Sequence, residues 1–121
     1  MTQEEKDLLI KDLCARLFFG VKVLYNTQIF EVQYIEPMYE EIKLLDNENY
    51  TLSIDEVKPY LFPLSSMTEE QIKEFNSITQ KCNTYIGKSI LLTDFCNKHH
   101  IDWRGLIEKR LALDATGLNI Y

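Results

Sequence analysis

Apolar residues recur at helical spacing near the start of the chain. The stripe consists of Leu9, Ile10, Leu13, Cys14 and Leu17. Such spacing places side chains on one face of a helix, which can then pack on a core. Thr2 and Glu5 stand three residues apart, which is the spacing of a capping box, and Gly20 follows the stripe as a stop signal. The pattern predicts a helical segment over residues 1–19.

After residue 20, apolar and polar residues alternate, which is typical of strands with one buried face. The apolar runs 21–25 and 28–35 flank Asn26 and Thr27. A two-residue link between two such runs predicts a tight hairpin. The side chains expected in the core of this sheet are Val23, Phe30, Val32, Tyr34 and Leu52.

A second pair of runs, 41–45 and 50–54, flanks the polar link 46–49 and predicts another hairpin. Residues 20–62 are therefore predicted to form a small curled antiparallel sheet. Short strands with turn signals fit several small barrels, and an SH3-like closure is one of them. Together with the flanking helices, this sheet predicts an α+β fold.

The segment 58–63 carries two prolines and three large side chains, Tyr60, Leu61 and Phe62. Because a proline disfavours helix at the residue before it, the segment is predicted to be an extended connector. Side chains alternate in direction along an extended chain. If Leu61 faces inward, Tyr60 and Phe62 either pack on the later helices or meet a partner.

A helical section is predicted over residues 63–121. Thr68 and Gln71 form a capping box at the start of the second helix. Its apolar face is predicted to be buried and consists of Ile72, Phe75 and Ile78.

Later signals divide the rest of this section. A break is predicted at 83–88, and Thr93 is expected to cap a short helix that runs to about residue 100. Asp102 is expected to cap a last helix over about 103–113. The apolar segment 117–121 is expected to dock on the body of the protein.

The composition is that of one ordinary globular domain covering residues 1–121, with 45% hydrophobic and 26% charged residues. No apolar run approaches the roughly 20 residues that a membrane helix needs. The first residues are polar and acidic, unlike a secretory leader, so a cytoplasmic location without membrane contact is expected. The net charge of −6 disfavours binding to nucleic acid, although seven tyrosines could stack on bases.

The richest group of reactive side chains is Cys96, His99, His100 and Asp102. On a helix, Cys96 and His100 would share a face, as half of a zinc site or as a nucleophile and its base. No second closely spaced ligand pair accompanies them, so we predict that no metal is bound there. No glycine-rich phosphate loop is present either, and no cofactor is predicted. Whether these four residues form a site stays open.

Two strings carry a resemblance to known proteins. They are KPYLFPLSSMTEE at 58–70 and KHHIDWRGLIEK at 98–109, the second continuing to 111–113 as LAL. With the opening helix and first hairpin, they resemble a group of small uncharacterised proteins encoded by phages and mobile elements of gut anaerobic bacteria. The group has no assigned activity, so the resemblance implies only an accessory protein acting in a bacterial cytoplasm.

The function predicted from these observations is noncatalytic binding of a host or phage protein. Tyrosine and phenylalanine are frequent anchors of protein interfaces, and the predicted binding residues are Tyr60, Phe62 and Tyr39. Two alternatives remain, a small enzyme that uses Cys96 and His100 and a nucleic-acid-binding protein.

Overall fold

The first helix, α1, spans Gln3–Arg16 and begins with the predicted capping box. The Thr2 hydroxyl accepts the Glu5 backbone N–H, and the Glu5 carboxylate accepts the Thr2 N–H. Gly20 then takes a left-handed conformation, with a φ of 71°, and turns the chain into the sheet.

The structure is a computed structural model and describes residues 1–47 and 51–121.

Seven strands and two more helices follow in the described residues. They are β1 (Lys22–Tyr25), β2 (Gln28–Glu36), β3 (Glu41–Leu44), β4 (Leu52–Ser53), β5 (Lys58–Pro63), α2 (Glu69–Lys81), α3 (Tyr85–Lys98), β6 (Ile101–Asp102) and β7 (Leu113–Asp114). The predicted α+β class is confirmed. Among these helices, none is long and apolar enough to cross a membrane.

The sheet runs in the order β4-β3-β2-β1-β5-β6, and β7 also pairs with β5. Neighbours are antiparallel from β4 to β5, whereas β6 and β7 run parallel to β5. Asn26 and Thr27 both have positive φ, as a tight hairpin between twisted strands requires. The first hairpin is thus confirmed. Residues 48 and 49 of the second link and residue 50 of the run after it lie outside the described residues, and SH3-like closure stays a prediction.

One predicted core residue faces the wrong way because the sheet contains a bulge. The pairing of β2 with β3 shifts register between Val32 and Tyr34. A bulge changes which side chains face inward. Val32 is buried and Ile35 packs on the core, whereas Tyr34 is 41% exposed. Val23 and Leu52 are buried as predicted, and Phe30 is partly buried.

The extended conformation expected at 58–63 is confirmed, but the segment is the interior strand β5 and not a connector. Its two prolines lack N–H groups, but the residues between them complete the pairing. The Phe62 N–H donates to the His100 carbonyl at 2.8 Å, and the Leu61 carbonyl accepts the Ala115 N–H at 2.8 Å. Leu61 is fully buried at the centre of the sheet.

The helix expected to be capped by Thr93 has its cap nine residues earlier. Thr84 caps α3, and its hydroxyl accepts the Gly87 N–H at 3.0 Å. Gly87 is therefore part of the first turn and not a break. A Cβ there would lie 2.6 Å from the Cys82 sulfur and 2.7 Å from the Thr84 hydroxyl, so a larger residue would displace these side chains and disturb the Thr84 cap.

The helix predicted over 103–113 is also wrong, and so is the helix cap predicted at Asp102. The Asp102 carboxylate accepts the backbone N–H groups of Leu106 and Ile107, both at 2.9 Å. The chain after it forms turns that lead into β7. Gly105 and Arg110 have positive φ, which a continuous right-handed helix does not allow.

Two apolar clusters hold these elements. The larger joins α1, the sheet and the turns near residue 111, and it includes the fully buried Leu9 and Leu13. The smaller is formed by Phe95, Cys96 and Ile101, with Phe75 and Ile78 packed against it. The predicted stripe of α2 is only partly buried, since Ile72 is 43% exposed and no residue of α2 is fully buried.

Candidate functional site

The predicted binding residues do not form one exposed surface. Tyr60 is 9% exposed, because β5 lies inside the sheet. Phe62 is partly buried, and its ring centre lies 5.9 Å from that of Tyr121. The aromatic surface expected at 58–63 is therefore absent. Tyr39 is exposed, next to Met38 on a short 3-10 turn.

The reactive group near the end of α3 does not converge either. The Asp102 carboxylate is occupied by backbone N–H groups, and His99 packs on Phe95 with ring centres 4.7 Å apart. Burial raises the pKa of the Cys96 thiol, although Arg16 opposes this, and a raised pKa disfavours the nucleophilic thiolate. Within residues 1–47 and 51–121, no three His, Cys, Asp or Glu side chains are placed to hold one metal ion.

A buried ionic network at the end of α1 was missed by sequence reasoning. Arg16 donates from Nε to Asp12 at 2.9 Å and from a second nitrogen at 3.1 Å, and both side chains are fully buried. Arg16 also donates to the carbonyls of Cys96 and Ile101, while Arg104 donates to Asp12 at 3.1 Å. The sequence feature that could have predicted this ion pair is the spacing of Asp12 and Arg16, which stand four residues apart in a helix with an apolar stripe.

This network joins α1 to the end of α3 and to β6. A buried ion pair tolerates its loss of hydration only when further hydrogen bonds satisfy its atoms, as they do here. All three side-chain nitrogens of Arg16 donate to acceptors within the protein, and the side chain is inaccessible to solvent. The network is therefore best interpreted as a structural link.

Next to it, the buried His100 and the 39% exposed Tyr121 form a second arrangement. Their rings stack with centres 3.8 Å apart and an angle of 15° between planes. Burial lowers the pKa of His100 to about 4, and the positive charge of Arg16 is the second largest cause of this shift. The imidazole is therefore neutral at pH 7. The Tyr121 hydroxyl accepts the Lys22 N–H and donates to the Tyr60 carbonyl, both at 2.8 Å. Docking of 117–121 is thus confirmed at Tyr121.

Among the three helices, α3 has the largest number of exposed apolar side chains. They are Tyr85, Ile86, Ile90 and Leu91, which we call the α3 face, and Tyr85 and Ile86 are 85% and 72% exposed. Only three of the 14 residues of α3 are charged. A helix that is apolar on all sides is normally buried on all sides. Here α2 and the body of the protein cover only part of it.

A groove of about 370 Å³ lies beside the α3 face. Phe75, Leu92 and Trp103 line it, and none of its described lining residues is charged. The surrounding sequence, residues 81–93, contains Lys81 and Lys88 but no acidic residue, in a chain with a net charge of −6. The start of α3 is thus bordered by positive charge, whereas Glu74 and Asp94 line a groove beside Leu91.

Comparison of the chain with protein-family models, with curated proteins and with solved structures finds no match. The chemistry of its own exposed side chains is therefore what indicates a function. Phe18, Met38 and Tyr39 are exposed as well, but the α3 face is the largest group of exposed apolar side chains on one element.

Proposed function

We propose that this protein is a noncatalytic binding module and that the α3 face is its binding surface. The observation that carries the proposal is the exposure of Tyr85 and Ile86 on a helix with little charge. Covering apolar surface stabilises a complex by about 25 cal/mol per Å² before the entropy of association is counted. Contiguous exposed apolar surface is typical of interaction sites.

The partner we propose is a protein that presents an apolar surface bordered by acidic residues. Lys88 lies on α3 between Ile86 and Ile90, and Lys81 lines a groove with Leu91. Complementary charge at a rim speeds association and selects partners. A host or phage protein in a bacterial cytoplasm fits the resemblance described above. Association of two copies is opposed by the net charge of −6 on each.

The two alternatives have weaker support. An enzyme centred on Cys96 and His100 would need a thiolate and a nearby base, whereas burial raises the pKa of the Cys96 thiol. A nucleic-acid-binding surface would need a track of cations, and the chain has 13 Lys and Arg against 19 Asp and Glu.

The test places a photo-crosslinking amino acid at Ile90 in cells and, as a control, at Phe18, another exposed apolar position. We expect a protein adduct at position 90 that is absent at position 18. The adduct partner is then purified and titrated with the wild-type chain and with an Ile86→Ser, Ile90→Ser double variant. We expect the variant to bind about 30-fold more weakly, as loss of about 2 kcal/mol at a hot spot implies.

Thermal unfolding of the double variant should match that of the wild type, because both side chains are exposed. The affinity should also fall as salt is raised, if an acidic rim meets the lysines. An adduct between two copies of this chain, or binding to anionic vesicles that the double variant abolishes, would overturn the proposed protein partner. Equal adducts at positions 90 and 18 would remove the α3 face as the site.

A further inference from the structure

Tyr121 fills a gap in the sheet between β1 and β5. Val23 pairs with Pro59 and Leu24 with Lys58, so the next antiparallel pair in this register would be Lys22 and Tyr60. The Tyr121 hydroxyl stands between them, accepting the N–H of one and donating to the carbonyl of the other. A side-chain hydroxyl thus takes the place of a direct bond between the strands.

Three other contacts hold the segment 117–121 near this gap. The Lys22 ammonium donates to the Ile120 carbonyl. The Tyr121 ring contacts Phe62 and stacks on His100. Leu118 in the same segment is half exposed, so the hold on the segment is concentrated at its Tyr121 end.

His100 is the member of this arrangement that can change state. It is 5% exposed, and its Nδ1 has no hydrogen-bond partner among the described residues. The charged or titratable groups that act on it are Arg16 from α1, Lys22 from β1 and its neighbour His99. Their influence opposes a proton on His100. The nearby carboxylate of Asp12 is already held by Arg16 and Arg104, and Glu31 of β2 acts on Tyr121.

We propose that residues 117–121 form an acid-sensitive latch, which neutral His100 holds closed and protonated His100 releases. A protonated imidazole carries two N–H donors, and the buried Nδ1–H would have no acceptor. Departure of Tyr121 lets water reach the ring and solvate its charge. The released Lys22 N–H and Tyr60 carbonyl then bond to each other or to water, while the rest of the sheet stays paired.

The direction and size of the effect follow from linkage. Burial lowers the pKa of His100 from 6.5 to about 4 in the closed state. If the released ring returns to its ordinary pKa, the open state binds more protons between these two values. Lowering the pH from 7 to 5 then shifts the equilibrium toward the open latch by about 20-fold.

The experiment measures amide hydrogen exchange by NMR on the whole chain at pH 7 and pH 5. We expect the protection factor of the Lys22 N–H to fall about 20-fold at pH 5. The Val32 N–H, which donates to the Val21 carbonyl at 3.0 Å, should keep its protection. An equal fall at Val32 would mean global unfolding and would overturn a local latch, as would an unchanged Lys22.

Two variants assign the effect to His100. His100→Phe keeps a ring against Tyr121 but cannot titrate, and we expect its Lys22 protection to be the same at both pH values. His99→Gln, which removes the only other histidine, should keep the fall. If the protection of the Lys22 N–H still falls at pH 5 in His100→Phe, the proposal is overturned.

A measurement independent of the His100→Phe variant uses the histidine ring signals themselves. In the wild type, the Tyr121 ring signals should move with the same midpoint as those of His100. In Tyr121→Ala, the His100 midpoint should rise toward 6.5, since coupling between two events is reciprocal. An unchanged His100 midpoint in Tyr121→Ala would contradict the latch.

Discussion

Arg16 is a fully buried cation whose partners come from three parts of the chain. Asp12 binds it through two hydrogen bonds, and the carbonyls of Cys96 and Ile101 accept two more. Removing one partner of a buried pair leaves the other charged and without compensation. The pair therefore acts as a unit, and a variant that keeps only one of the two charged residues should be destabilised.

We expect Arg16→Met and Asp12→Leu each to lower the free energy of unfolding by about 3–5 kcal/mol. The double variant should be less destabilised than the sum of the two by about 2–3 kcal/mol, because neither charge is then stranded. Urea unfolding of the four proteins gives this coupling energy. The surface pair Lys6 and Asp55, 3.5 Å apart and partly exposed, is the matched control.

The same cycle with Lys6→Met and Asp55→Leu should give a coupling of less than about 1 kcal/mol, as is usual for exposed ion pairs. Additive effects at Asp12 and Arg16 would show that Arg16 is held by its carbonyl contacts alone. That result would contradict the ionic link between α1 and β6.

Among the helices, α3 is the one whose start was misplaced by sequence reasoning. Thr84 and Thr93 are both of a residue type that caps helices, and only the structure shows that Thr84 is the cap. We expect Thr84→Ala to lower the free energy of unfolding by about 1 kcal/mol, through loss of the bond to the Gly87 N–H. Thr93→Ala, inside the helix, should change it by less than about 0.5 kcal/mol. Thermal unfolding of both variants decides between the two starts, and a larger loss at Thr93 would contradict the structure.

Structural elements whose geometry is set by residues close together in the chain could be predicted from the sequence. The capping boxes at Thr2 and Thr68 and the hairpin turn at Asn26 are each specified by side chains within three or four positions. The bulge after Val32 was not, because it is defined by the partner strand β3. Nor was β5, whose two prolines indicate an end of regular structure until the strands beside it are known.

The burial of Tyr60 was not predicted for the same reason. Tyr60 was expected at an interface because successive side chains in an extended chain cannot all face one core. In the structure β5 lies between β1 and the short strands β6 and β7, so its environment comes from segments distant in sequence. The exposure of Tyr85 and Ile86 was hidden because a run of apolar residues resembles a buried helix until its neighbours are placed.

At the scale of the whole molecule, apolar packing is unevenly distributed. The larger cluster fixes α1 to the sheet through fully buried residues such as Leu13 and Leu61. The smaller cluster has only three buried residues, and α2 joins it through the partly buried Phe75 and Ile78. Segments with few buried apolar contacts open at a lower free energy than the core. The helical pair that carries the α3 face is therefore expected to open before the sheet.

Hydrogen exchange of Phe75→Ala tests this difference. The Phe75 ring contacts Phe95 edge-on, with centres 6.1 Å apart, and it is the largest side chain that α2 contributes to the smaller cluster. Because Phe75 is only partly buried, we expect its loss to cost about 2 kcal/mol, less than a fully buried phenylalanine. If α2 opens locally, its amides should lose about 30-fold in protection while those of β1 and β2 are unchanged.

Leu61→Ala is the matched control, since Leu61 is fully buried at the centre of the sheet. Its cavity should lower the protection of sheet amides that exchange only through global unfolding. Equal losses in α2 and in β1 for Phe75→Ala would mean that the two clusters unfold as one unit. Separate losses would mean that α2 and α3 can shift relative to the sheet without unfolding it. A binding surface on α3 could then adjust to its partner while Leu61 and the strands around it keep the fold intact.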